Sequence, residues 1–353
     1  MNAAFTTIPS VSLDHWRRAA DGPHRQRFAD ELLRIGHEIG FLHLVDHGIE
    51  QAWIDRYFAV LESFFALPDD VKAGIDKAES PHFRGWERVG AETTDGRVDH
   101  REQLDVSVEH PARPLDVEPA YLRLDGPNQW LPDDVLPGFR SLVEEFFVRM
   151  GALADELMEI LAIGLGLPSD TFRVRFGERP LSFVKLIRYP ASPPGEAGVN
   201  GHHDAGFLTI LLQHRVGGLQ VQNPDGEWID VPPTPGAFVV NLGEMLQSMT
   251  GNYLVATTHR VIAAQQRFSS AYFHGPDLRA SLAPLELDSR FRDAVAASPR
   301  HRDAGFMATR DQLLEGRRGT IAASAPVYGE QLWNYYVRSY PQNVERHHVD
   351  AMR

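Results

Sequence analysis

The chain has 353 residues, enough for one large domain or two modest ones, and its 43% hydrophobic and 24% charged content is that of an ordinary globular protein. A formal charge of −13 lacks the basic footprint of a nucleic-acid binder, and no apolar run approaches the roughly 20 residues that cross a bilayer. There is no cysteine, which excludes disulfides, thiolate zinc sites, iron–sulfur clusters and cysteine nucleophiles. Residues 1–14 carry neither a basic n-region nor a long apolar core. The expectation is a cytoplasmic protein with a small-molecule partner, no nucleic-acid or membrane partner, and an oligomeric state left open.

Residues 28–39 have helical spacing, and residues 40–45 (GFLHLV) then read as a short strand ending at His47-Gly48. From Gln51 the apolar residues Ile54, Tyr57, Phe58, Leu61, Phe64 and Phe65 recur at three and four, the stripe of an amphipathic helix, which Pro68 ends. Residues 79–134 are rich in Gly, Pro and charge and predict long connections with short strands. Phe139, Leu142, Val143, Phe146, Met150, Leu153, Leu157 and Leu161 share one face of a second helix, predicted to stop at Gly164 and Gly166. That glycine pair follows a helix rather than a strand and lacks a third glycine, so it is not a dinucleotide loop.

After Pro180 the texture changes. Residues 181–189, 207–212, 218–221, 228–231, 237–242, 253–256 and 268–274 are short Val/Ile/Leu/Phe/Tyr segments separated by Gly/Pro turns, the pattern of a sandwich or jelly roll. Residues 311–338 read as partly helical and are expected to pack back on that core. The fold class is therefore α+β, a jelly-roll core flanked by helices with an N-terminal α/β region. Four regions follow: an N-terminal region 1–135, a supporting helix and connection 136–180, the core 181–282 and a C-terminal segment 283–353.

The chemistry starts at His202-His203-Asp204. On a strand, residues two apart project to one face, so His202 and Asp204 can meet one metal while His203 points away. His259, in Thr258-His259-Arg260-Val261, is the candidate third ligand. Two imidazoles and a carboxylate form a facial triad with open positions, which suits Fe(II) and oxygen activation. An isolated H-x-D is weak, since a structural hydrogen bond explains most such pairs. Context strengthens it: eight residues after His259 comes Arg267-Phe268-Ser269, where Arg267 and Ser269 share a strand face. A guanidinium projecting into a barrel needs an anion, which its planar fork holds bidentately.

The ordered set His202-x-Asp204-x-Gly206-x-Leu208-Thr209-x-Leu211, Gly218-Leu219-Gln220-Val221, Trp228, Pro235-Gly236, Asn241-Leu242-Gly243-Glu244, His259-Arg260-Val261 and Arg267-x-Ser269 resembles the Fe(II)/2-oxoglutarate dioxygenases related to isopenicillin N synthase. Gly40-Phe41, His47-Gly48-Ile49 and Phe64-Phe65-x-Leu67-Pro68 resemble that superfamily's N-terminal domain. The resemblance implies a double-stranded β-helix with Fe(II) on His202, Asp204 and His259. It also implies 2-oxoglutarate chelating the iron, with its distal carboxylate on Arg267 and Ser269 and with Tyr189 helping to hold it. Ile187 stands where an asparagine is often found. The implied reaction consumes O2, releases succinate and carbon dioxide, oxidises an unactivated C–H bond, and is stimulated by ascorbate.

Met249-Thr250-Gly251, Ala271-Tyr272-Phe273-His274-x-Pro276, Tyr328-Gly329-Glu330 and Arg338-x-Tyr340-Pro341 look like the bacterial ethylene-forming-enzyme branch. That likeness implies that Glu92, Thr94 and Arg338 contact an amino-acid substrate; as ordinary loop residues, Glu92 and Thr94 would do no such thing. Ala205 stands where the branch has an aromatic, and Lys185 where it has an arginine. The expectation is hydroxylation or desaturation of a small polar, amino-acid-derived molecule with little ethylene. Two alternatives stand beside it: an isopenicillin-type oxidase that does not use 2-oxoglutarate, and a catalytically silent ligand-sensing module. The remaining histidines read as structural (His43, His47), solvated (His347, His348) or surface and hydrogen-bonding (His214, His274). Glu244 reads as a loop brace. His37-Glu38 is no zincin motif, because Phe41 occupies the position of the second histidine.

Overall fold

The computed structural model describes residues 4–19, 22–94, 96–192, 196–302, 304 and 327–352. The two predicted helical stripes form helices Gln51–Phe65 and Phe139–Gly164, and each buries the residues that its periodicity selects. Gly164 is the last residue of its helix, as its glycine predicts, and it also serves packing. A Cβ there would lie 2.8 Å from the Ala29 carbonyl oxygen, so the glycine permits close packing on helix Gly22–Glu38. The left-handed turn comes at Gly166, with φ +75°.

The described residues form these strands in chain order: β1 Ser10–Ser12, β2 Phe41–Val45, β3 Gly85–Glu87, β4 Thr93–Thr94, β5 Arg97–Val98, β6 Glu102–Ser107 and β7 Phe183–Tyr189; then β8 Val199–His202, β9 Leu208–Gln213, β10 Leu219–Gln222, β11 Trp228–Asp230, β12 Phe238–Leu242, β13 His259–Val261 and β14 Arg267–His274. The main sheet has the order β1-β2-β12-β9-β14-β7-β6-β3 and the facing sheet β11-β10-β13-β8, while β4 and β5 form a separate hairpin. Strands β1, β2, β3 and β6 of the N-terminal region are thus part of the main sheet.

Alternation sorts the side chains. Val184, Leu186, Ile210, Leu212, Phe268 and Tyr272 join the helices in one large apolar cluster. Phe41, Ile187, Tyr189, Val199, Leu219, Val221, Val239 and Val261 fill the space between the sheets. The expected strand at 253–256 does not form. Val255 donates its N–H to the Gly36 carbonyl and Ala256 to the Gln247 side chain, so helix-side partners take the bonds a ladder would need. Residues 311–326 of the C-terminal helical expectation lie outside the described residues, and the chain is helical over Tyr328–Ser339 and Pro341–His347. Among the described residues no helix is long and apolar enough to cross a membrane.

Candidate active site

His202 closes β8, Asp204 lies two residues on, and His259 opens β13 directly across from His202 in the antiparallel ladder. One ligand atom from each of the three lies within 4.8 Å of the others. Asp204 Oδ1 stands 3.7 Å from His202 Nε2 and 3.6 Å from His259 Nε2. The rings are fixed from behind. His202 Nδ1 donates to the Asn200 carbonyl at 2.8 Å and His259 Nδ1 to the Thr257 carbonyl at 3.1 Å, which leaves both Nε2 lone pairs for a metal. Asp204 Oδ2 accepts from Thr209 Oγ1 at 2.5 Å and Asn241 Nδ2 at 2.6 Å, leaving Oδ1 toward the imidazoles.

Burial, and then the neighbouring His259, push His202 down to about 3. Burial of Asp204 favours the acid, yet His259, His202 and the bonds from Thr209 and Asn241 outweigh it and hold the carboxyl below its ordinary range. Neutral imidazole and ionised carboxylate are the forms that ligate a metal. His203 points away as its parity predicts, bonding Glu244 at 3.0 Å and Thr258 at 2.7 Å. Glu244 thereby braces the loop.

Arg267 and Tyr189 are cross-strand partners on β14 and β7, with the guanidinium carbon 4.9 Å from the tyrosine ring centre. Arg267 is 1% exposed and is held by neutral groups, Ser269 Oγ at 2.9 Å and Gln213 Oε1 at 3.0 Å. Its Nε has no partner, and no carboxylate among the described residues pairs with it. A buried cation lacking a counter-ion is costly unless an anion joins it. Gln213 escaped the sequence reading, although its parity on β9 matches that of Leu211 and Thr209.

The structure brings Glu92 and Thr94 into one buried network but leaves Arg338 outside it. Glu92 accepts from Arg101 Nη2 and Gln103 Nε2, both at 2.6 Å, from Tyr340 at 2.9 Å, from Tyr335 at 3.3 Å and from Lys185 at 3.4 Å. Burial opposes its charge, but Arg101 and Lys185 prevail and hold the carboxyl well below the usual range. Lys185 also meets Asp105 at 2.9 Å, and Lys77 bridges Asp105 at 2.7 Å and Glu87 at 2.5 Å. Thr94 donates to Asp99 at 2.6 Å. Helix Tyr328–Ser339 turns Tyr328, Leu332, Trp333 and Tyr336 inward. Arg338 falls on the opposite, exposed side, and its side chain bonds no described residue.

Among the other histidines, His348 corrects the solvated expectation. It is fully buried, bonds the Pro81 carbonyl at 2.8 Å and stacks on Phe83, because the last helix folds back under residues 77–83. His347 is half-buried on the Ala78 carbonyl. His47 stacks on Phe238 and His43 sits within β2, both structural. His274 is buried beside Tyr272 and Asp155, and His214 stacks on Phe58 near Glu62.

Residues 8–133 match a family model described as non-haem dioxygenase in morphine synthesis, N-terminal, and residues 170–276 match the 2OG-Fe(II) oxygenase superfamily. The chain is 37% identical to 2-oxoglutarate-dependent dioxygenase frbJ of Dothideomycetidae sp. (strain 11243), over 83% of this chain and 82% of the relative. It is 30% identical to homoarginine-6-hydroxylase 2-ODD-C23 of Glycine max, over 81% of this chain and 90% of that one. Full-length Neurospora crassa T7H, solved in complex with alpha-KG and thymine, superposes with a TM-score of 0.68 at 26% identity, covering 79% of this chain and 88% of T7H.

Proposed function

The chain belongs to the 2OG-Fe(II) oxygenase superfamily, and on that premise we propose that His202, Asp204 and His259 hold its iron. It is a 2-oxoglutarate-dependent dioxygenase with Fe(II), 2-oxoglutarate and O2 as its reaction partners. The bound iron supplies oxygen activation, coupling decarboxylation of 2-oxoglutarate to succinate with oxidation of a C–H bond.

Arg267 carries the co-substrate assignment. Its buried, counter-ion-free guanidinium, fixed by Ser269 and Gln213 and backed by Tyr189, takes the distal carboxylate of 2-oxoglutarate. Asn200 and Thr257 hold the two imidazoles in the metal-binding tautomer, and Thr209 with Asn241 hold the carboxylate.

The primary substrate is a small polar molecule that is hydroxylated or desaturated. Named relatives with small polar ligands, homoarginine-6-hydroxylase and T7H with thymine, support that range. Glu92 already accepts from five side chains of its own protein, so it has no capacity left for a substrate guanidinium. Glu92 and Thr94 therefore shape the site through Arg101, Lys185 and Asp99, and Arg338 stands at its exterior. The test follows succinate release with Fe(II), ascorbate and a panel of small polar compounds, arginine included. Substrate oxidation coupled to succinate is expected, with no stimulation by arginine and little ethylene. Oxidation without succinate would overturn the co-substrate role of Arg267, and abundant ethylene would overturn the reading of Glu92.

A further inference from the structure

Each metal-side imidazole donates to the carbonyl two residues before it, and each of those residues is tied to a remote part of the chain. Behind His259, Thr257 Oγ1 donates to the Ile39 carbonyl at 2.6 Å and accepts from Arg300 at 3.2 Å. Behind His202, the backbone N and the side-chain Nδ2 of Asn200 both reach Asp99 Oδ1, at 3.4 and 3.3 Å. Asp99 is fully buried. Its other oxygen accepts from Thr94 at 2.6 Å and from Arg101 at 3.1 Å. The segment is held further by Asp99 N to the Glu92 carbonyl at 3.0 Å and His100 N to the Ala197 carbonyl at 3.4 Å. Arg101 is held in turn by Glu92, which is contacted by Tyr335 of helix Tyr328–Ser339 and by Tyr340 at the junction that follows it.

We infer that Asp99 is a positioning residue for His202, acting through Asn200. Two contacts from one carboxylate oxygen fix both the main chain and the side chain of Asn200. That sets the direction of the carbonyl to which His202 Nδ1 donates, and so the direction of the Nε2 lone pair. His202 needs such a brace more than His259 does, since its side chain is 26% exposed against 10% for His259. This role of Asp99 rests on His202 being an iron ligand.

The experiment titrates metal-stripped full-length protein with Fe(II) anaerobically in the presence of 2-oxoglutarate, and separately records thermal unfolding without metal. Asp99→Ala is expected to weaken Fe(II) binding about 10- to 100-fold, the usual cost of losing a group that orients a ligand. Asn200→Ala keeps the carbonyl but loses the side-chain tether, and is expected to weaken binding in the same direction. The double variant should be no weaker than the worse single one, because both act along one path. Asp99→Asn retains an oxygen acceptor for Asn200 and should restore most of the affinity. If it binds Fe(II) as weakly as the alanine variant, loss of negative charge rather than positioning is the cause, and the inference fails. It fails equally if both alanine variants keep wild-type Fe(II) affinity and only their unfolding temperature drops. Should Asp99→Ala not fold, Asn200→Ala alone decides. His202→Ala separates the two layers: Fe(II) binding that survives it would overturn the ligand assignment itself, whereas its loss beside an unaffected Asn200→Ala overturns only the role of Asp99.

Discussion

Replacing Arg267 by Met removes a buried charge while keeping a side chain of similar reach over Tyr189. The guanidinium bonds the neutral Ser269 Oγ and Gln213 Oε1 and lies over Tyr189, so the described residues supply no carboxylate to compensate it. Truncating one partner of a buried charge pair costs about 2–5 kcal/mol. At about 1.4 kcal/mol per tenfold, 2-oxoglutarate should bind roughly 30- to 4,000-fold more weakly. The same substitution should leave the ligand-free protein at least as stable, since it removes an uncompensated buried cation. Thermal unfolding with Mn(II) in place of iron, so that no turnover consumes the ligand, reads both effects. At a ligand concentration about 100 times its dissociation constant the wild type gains about 2.7 kcal/mol, whereas the variant at that concentration gains under about 1 kcal/mol. An undiminished gain in Arg267→Met would refute the assignment. Lost turnover of the primary substrate alongside it would move Arg267 to the substrate carboxylate.

His259→Ala should abolish the weak visible band that forms when Fe(II) and 2-oxoglutarate are combined anaerobically, and a band of full intensity would show that His259 is not a ligand. Glu92→Ala strips Arg101, Gln103, Lys185, Tyr335 and Tyr340 of a shared acceptor in a buried site. It should destabilise the fold by about 3–5 kcal/mol in urea denaturation, and a loss below about 1 kcal/mol would mean that the cluster is not structural. Burial lowers His47 from 6.5 to about 4. Above the ordinary value neither state carries the proton; between that value and the lowered one the unfolded chain takes it first, so stability falls as pH falls and the loss is complete below about pH 4. The contribution is at most about 3 kcal/mol, and His47→Gln should remove that part of the slope while leaving stability at pH 8 nearly unchanged.

The amphipathic stripes, the parity of His202 with Asp204 and of Arg267 with Ser269, and six of the seven segments read as core strands were legible in the residues alone. Each depends on local periodicity, and burying one face imposes that periodicity on the chain directly. Residues 253–256 have the apolar content of a strand, but apolar content reports burial and not which partner takes the backbone bonds. Gly164 reads as a stop and does end its helix, but its packing on Ala29 was not legible locally, because only the approach of the neighbouring helix gives it that second role.

What tertiary structure alone decided is which distant residues stand opposite one another. The β8–β13 ladder sets His259 across from His202, and no spacing in the chain encodes that register. Gln213 reaches Arg267 only because β9 pairs with β14, and β2 and β6 enter the main sheet through pairings with β12 and β7, far along the chain, with β3 following on β6. Glu92 appears in the sequence as one acid in a polar loop. Its five donors come from residues 101, 103, 185, 335 and 340, and only the folded arrangement shows its accepting capacity filled. Arg338 is exposed and His348 buried for the same reason: which side of a terminal segment meets the core is chosen by the surface it packs on, which lies outside the local sequence.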